Sequence, residues 1–137
     1  MKNNFSQRVR KIISYSREEA GRLQNNYLGP EHLMLGILRN GEGLAIQALN
    51  DFGIELDELK QNIDSKVLEQ NDIYHNNEIV LTKNTEKILK MSILESRLTK
   101  NPETDSEHLL LAMLKDNDNL VSTTLREYNM EYSGALM

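Results

Sequence analysis

The chain of 137 residues contains no cysteine and no tryptophan, only two prolines, and 5% aromatic residues. Without cysteine there is no disulfide framework, no thiol nucleophile and no thiolate metal site. With so few aromatics the core must be built from Leu, Ile, Val and Met, a palette that suits helices better than sheets. No apolar run approaches the roughly 20 residues that span a bilayer. The opening Met1-Lys2-Asn3-Asn4 leads into no apolar stretch of a secretory signal. A basic excess is missing too: the formal net charge of -5 argues against a dedicated nucleic-acid binder, though not against a local basic patch. What is left, 39% hydrophobic and 27% charged, is the composition of one globular domain large enough to bury a core.

The chain carries an internal duplication. Slid on itself by 76 residues, Glu31-His32-Leu33-Met34-Leu35-Gly36-Ile37-Leu38 falls over Glu107-His108-Leu109-Leu110-Leu111-Ala112-Met113-Leu114. The same offset pairs Ser16 with Ser92, Glu19 with Glu95 and Asn25 with Asn101, and gives 13 identities between Ser6–Asp57 and Thr82–Ser133 without a gap. Each copy reads as four helices. In the first, Ser6 is an N-cap, and Val9, Ile12, Ile13, Ser16, Ala20 and Leu23 follow at helical spacing. Gly29-Pro30 starts a nearly all-apolar second helix, expected at the centre of the fold, and Gly41-Glu42-Gly43 breaks it. A short third helix ends at Gly53, and a fourth runs from about Leu56 to Leu68. The second copy repeats the plan over Thr82–Thr99, Ser106–Asp116, Asn119–Tyr128 and a stub from Tyr132. The expected fold is therefore all-α: two four-helix repeats around a pseudo-twofold axis, with no strand and with the last helix truncated, as in a chain cut from a longer protein or shortened at its end.

Catalytic signatures are missing. No G-x-x-x-x-G-K-[ST] exists to hold a nucleotide, and no serine sits in G-x-S-x-G. The Glu31-His32 and Glu107-His108 pairs could suggest a metal, but neighbours on a helix point about 100° apart and no E-x-x-H occurs. The simpler reading is a first-turn Glu that complements the helix dipole and a His bonded to a nearby backbone group. His75 falls in a polar linker and reads as solvated. The starts of the first helices, capped by Ser6 and Thr82, leave free N–H groups that could receive an anion, although plain capping accounts for them as well.

These residues resemble the N-terminal domain of the Clp family of AAA+ protein unfoldases. The resemblance is carried by Phe5-Ser6, by Tyr27-Leu28-Gly29-Pro30-Glu31-His32-Leu33, and by Gly41-Glu42-Gly43-Leu44-Ala45 with Ala48-Leu49, the last looking most like the ClpC branch. It implies one Clp N-terminal domain over 1–137, with repeat one at about 5–69, a linker at 70–78 and repeat two at about 81–137. It implies a cytoplasmic binding domain without catalytic residues, metal or cofactor of its own; ATP and Mg would belong to ATPase modules of the same hexameric parent. The partners it implies are unfolded or tagged protein substrates, an adaptor protein and, through the parent, a ClpP-type protease, with neither nucleic acid nor membrane. In some ClpC proteins the domain reads phosphoarginine, and the matching residues are Glu31 with Ser6 and Glu107 with Thr82. Asp105 adds a negative charge to the second site, expected to repel phosphate. Two alternatives remain at this point: the N-domain of a ClpB-type disaggregase, which binds exposed apolar segments, and a small metal-binding protein.

Overall fold

A computed structural model describes residues 4–70 and 79–135. Along them run α1 (Gln7–Arg22), β1 (Tyr27–Leu28), α2 (Pro30–Asn40), α3 (Leu44–Asp51), α4 (Leu56–Gln70), β2 (Val80–Leu81), α5 (Lys83–Leu98), α6 (Ser106–Lys115), α7 (Leu120–Arg126) and α8 (Tyr132–Ala135). The expected linker lies outside the described residues from position 71 on, His75 included, while Gln70 still belongs to α4.

Local chemistry sets the helix bounds. Ser6 Oγ accepts the Val9 N–H at 3.1 Å and Thr82 Oγ1 that of Thr85 at 3.1 Å, which caps α1 and α5. Pro30 opens α2, and Gly41 and Gly43, at φ 70° and 96°, break the chain before α3. The core lies around α2 and α6, the second helix of each repeat. Every residue from Pro30 to Ile37 is buried, and so are Leu109 to Leu114. Val9, Ile12, Ile63, Ile88 and Val121 fill in from α1, α4, α5 and α7, so both repeats share one core.

The two repeats are equivalent in backbone detail. Positive φ recurs at matched positions, Gln24 with Lys100 (61° and 59°) and Gly53 with Asn129 (74° and 65°). The expectation of no strand needs correction. β1 and β2 pair in parallel, Tyr27 with Val80 and Leu28 with Leu81, and a bridge between Phe5 and Thr104 repeats that contact on the other side of the twofold. The lead-in to each capped helix crosses the loop of the other repeat and satisfies its backbone: Thr82 N–H donates to Leu28 O at 3.2 Å, and Ser6 N–H to Thr104 O at 2.9 Å. Two-residue pairings are too short to leave a period-2 signal in a sequence.

Candidate functional site: two clefts between the repeats

The loop from Asn25 to Glu31 is held by a histidine clasp. His32 Nδ1 accepts the Gly29 N–H at 2.9 Å, so the ring proton sits on Nε2, which donates to Asn25 Oδ1 at 2.8 Å. Burial pushes the pKa of His32 down to about 4, against a smaller upward pull from Glu19, so the ring is neutral and the clasp intact near pH 7. His108 repeats the clasp: Nδ1 accepts the Asp105 N–H at 2.8 Å, and Nε2 lies 3.2 Å from the side-chain amide of Asn101. Both histidines are thus engaged at helix starts. Among the described residues no three His, Asp or Glu side chains gather as metal ligands.

The clasp sets the neighbouring carboxylate. Glu31 is buried, and its side chain folds back over Gly29, where an added Cβ would stand 2.6 Å from Glu31 Oε1. Tyr27 donates its O–H to Oε2 at 3.3 Å. Burial raises the Glu31 pKa, and hydrogen bonds from its own backbone and from Tyr27 offset that only in part. A carboxylate so placed gains from a cation that brings its own donors.

Opposite Glu31 stands the start of α5. Leu28 O accepts both the Thr82 N–H and, at 2.6 Å, the hydroxyl of Thr85, which fixes the helix start against β1. With the Thr85 N–H on the cap, the amides of Lys83 and Asn84 stay outside the helical ladder. Glu31 and Thr82 together line a cleft of about 760 Å³, with Asn84, Lys66, Asp118 and Thr124 among its walls. Lys66 donates to Thr124 at 3.0 Å and pairs with Glu127, which ties α4 to α7 along one wall.

Ser6 lies elsewhere. It lines a second cleft, about 300 Å³, with Arg8, Lys11, Asn40, Glu42 and Asp105. The expected pairs, Glu31 with Ser6 and Glu107 with Thr82, are therefore corrected: Thr82 faces Glu31, and Ser6 faces the loop that leads into Glu107. Exchange of strands between repeats swaps the helix starts, a non-local effect that matching within one repeat misses. The charge of Asp105 is not free either, since Arg8 Nη1 holds its Oδ2 at 2.9 Å and its Oδ1 caps α6 through the Ser106 N–H. Sequence reasoning also passed over Arg8 and Asn84, which occupy one equivalent position under the 76-residue offset and line the two clefts.

The family model described as the Clp repeat (R) N-terminal domain matches residues 4–128. An ATP-dependent Clp protease ATP-binding subunit ClpA homolog of Cyanidium caldarium is 33% identical over 96% of this chain and 15% of its own length. The negative regulator of genetic competence ClpC/MecB of Bacillus subtilis and the chaperone protein ClpB of Oceanobacillus iheyensis are each 27% identical over 98% of this chain and 16% of theirs. The chain thus spans about one sixth of the length of these relatives. Among solved structures, the Hsp104 N-terminal domain from Candida albicans superposes with a TM-score of 0.80 at 17% identity, over 97% of this chain and 87% of that one.

Proposed function

The chain belongs to the family of Clp repeat N-terminal domains, and on that premise we propose that it is the substrate- and adaptor-recognition domain of a ClpC-type ATP-dependent unfoldase that serves a ClpP-type protease and reads phosphoarginine in the cleft between Glu31 and Thr82. The observation that carries this reading is the meeting in one cleft of a buried carboxylate, Glu31, with the start of a sixteen-residue helix. A guanidinium group satisfies the first through paired N–H donors; a phosphate satisfies the second through backbone amides and the hydroxyl of Thr82. Phosphoarginine carries both groups at the end of one side chain. A guanidinium beside Glu31 favours the charged form and opposes the upward shift that burial imposes, so binding should lower the pKa of Glu31 and release protons as that residue titrates.

ATP hydrolysis and threading would belong to modules outside this chain. A disaggregase parent is the second reading, supported by an identity to the Oceanobacillus iheyensis ClpB equal to that to the Bacillus subtilis ClpC/MecB. Calorimetric titration of the domain with phosphoarginine, beside arginine and phosphoserine, separates the two. Selective binding that disappears in Glu31→Ala supports the tag reader. No heat at millimolar phosphoarginine, with binding of unfolded apolar segments instead, would favour the disaggregase.

A further inference from the structure

The two clefts are copies of each other, yet the second has less than half the volume of the first and holds an ion pair. The 76-residue offset lays Thr82 over Ser6, Asn84 over Arg8, Asp118 over Glu42 and Gly29 over Asp105. The last pair makes the difference. Gly29 contributes no side chain to the larger cleft. Asp105 sends a carboxylate into the smaller one, where Arg8 holds it at 2.9 Å. Arg8 is the second residue of α1, so this ion pair lies across the first turn of the helix that Ser6 caps. An anion at such a helix start is what a phosphate would supply, and Asp105 already supplies one.

The surroundings fit a ligand position occupied by the chain itself. Arg8 Nε, Asn40 Oδ1, Ser106 Oγ and Glu107 Oε1 are all buried without a hydrogen-bond partner among the described residues. Ser106 is fully buried, and its Oγ and Arg8 Nε would both stand about 3 Å from a Cβ on Gly43. Unused donors and acceptors on Arg8, Asn40 and the neighbouring Ser106 therefore remain around the ion pair.

We propose that Asp105 and Arg8 plug the second cleft as a built-in anion and its counter-ion, so that the domain binds a single phosphoarginine at the Glu31–Thr82 cleft, and that Asp105 determines this stoichiometry. The proposal rests on the reading of the first cleft given above. A phosphate entering the second cleft must part Arg8 from Asp105 and then lie beside the released carboxylate. Glycine at 105, the residue at the equivalent place in the first repeat, removes the built-in anion and frees Arg8 for an external one.

Amide NMR shifts followed during a phosphoarginine titration, in the wild type and in Asp105→Gly, test this. Glycine is an accepted N-cap residue, and Asp105 sits at an extended φ of −118°, so the fold has no need of the aspartate. Asp105→Asn is the second variant, which keeps a capping carbonyl and removes the charge. The wild type should respond at Thr82–Thr85 and saturate with one ligand; binding at Ser6–Val9 should be at least about tenfold weaker, the step that one lost charge-assisted contact makes. Asp105→Gly should respond at both helix starts and take two ligands, and Arg8→Ala added to it should remove the second. Equal responses at both clefts in the wild type would overturn the proposal, as would an Asp105→Gly protein that binds only at Thr82. A new response at Ser6 with silence at Thr82 in every protein would sink the tag-reader reading of the first cleft and still support the plug. Silence at both helix starts in all variants would overturn both.

Discussion

The closest backbone approach at any described glycine gives the sharpest test of the packing. Gly36 on α2 faces α1, and an added Cβ would stand 2.5 Å from the carbonyl oxygen of Ile12 and 3.2 Å from the Ser16 nitrogen. Neither atom can rotate away, since both are backbone. To bring the first contact to 3.4 Å, α1 must shift by about 0.9 Å, the difference between 3.4 and 2.5. That shift opens the layer of Val9, Ile12, Leu33 and Ile37, all fully buried. Overpacking of this kind costs about 1–3 kcal/mol, and the backbone contact puts it in the upper half. Alanine returns about 1 kcal/mol in helix propensity. The net loss for Gly36→Ala should be about 1–2 kcal/mol, a fall of roughly 4–8 °C in Tm for a chain of this length. Gly21, on α1, is exposed with nothing within 4 Å of an added Cβ. The same substitution there should stabilise by about 0.5–1 kcal/mol. Thermal and urea melts of both variants give the comparison. If Gly36→Ala melts at or above the wild type, the α1–α2 contact is not as close as described and the reasoning fails.

Other consequences concern the site itself. His32 loses stability on acidification: its folded pKa of about 4 lies below the ordinary 6.5, so the contribution is complete above pH 6.5 and is lost as pH falls toward 4, by about 3 kcal/mol in total. Glu31 acts in the opposite sense, because its raised folded pKa relieves a penalty as pH falls; urea melts from pH 7.5 to 4.5 should therefore be compared in a Glu31→Gln background, where adding His32→Gln is expected to flatten the curve. A slope that persists with glutamine at 32 would place the acid sensitivity elsewhere. Glu31→Gln alone should raise stability at pH 7 by roughly 1 kcal/mol, since it removes a carboxylate whose charged form burial disfavours, and should abolish phosphoarginine binding. A variant that is less stable and still binds would show that Glu31 serves the helix and not a ligand. Removing the clasp by Asn25→Ala should weaken binding about tenfold through misplacement of Glu31, with a loss of about 1 kcal/mol for the hydrogen bond; unchanged affinity measured by calorimetry would separate the clasp from the site.

Most of the helical plan was legible because its signals are local. Ser6, Thr82, Pro30, Gly41 and Gly53 act within three or four residues, and the helices begin and end within two or three residues of where they point. The duplication supplied the rest of the architecture, since one assignment constrains two segments. The site was less legible. Glu31 and Thr82 stood out singly, each at a helix start, but their meeting depends on β1 and β2 crossing between repeats, and two residues of strand carry no pattern. The clasps could have been anticipated: Asn and His recur seven residues apart in both copies, at 25 and 32 and at 101 and 108, which is an identity that packing alone does not demand. Arg8 gave no such signal, because its equivalent is Asn84 and its partner Asp105 replaces a glycine.

The crossing between repeats also accounts for how the two clefts came to differ without harm to the fold. Each cleft takes its helix start from one repeat and its carboxylate loop from the other, and the two are joined by main chain: Leu28 O to the Thr82 amide, Thr104 O to the Ser6 amide. The side chains that line the clefts carry little of that junction. Gly29 and Asp105 occupy the same place and both serve as N-caps, the first by its backbone and the second by its carboxylate, while α2 and α6 start alike. A change of side chain at this position therefore alters what the cleft can hold and leaves the helices where they are. Duplication provided two copies of one cleft, and a single residue at the lip of each, glycine at 29 and aspartate at 105, decides whether the chain's own arginine finds an ion-pair partner there.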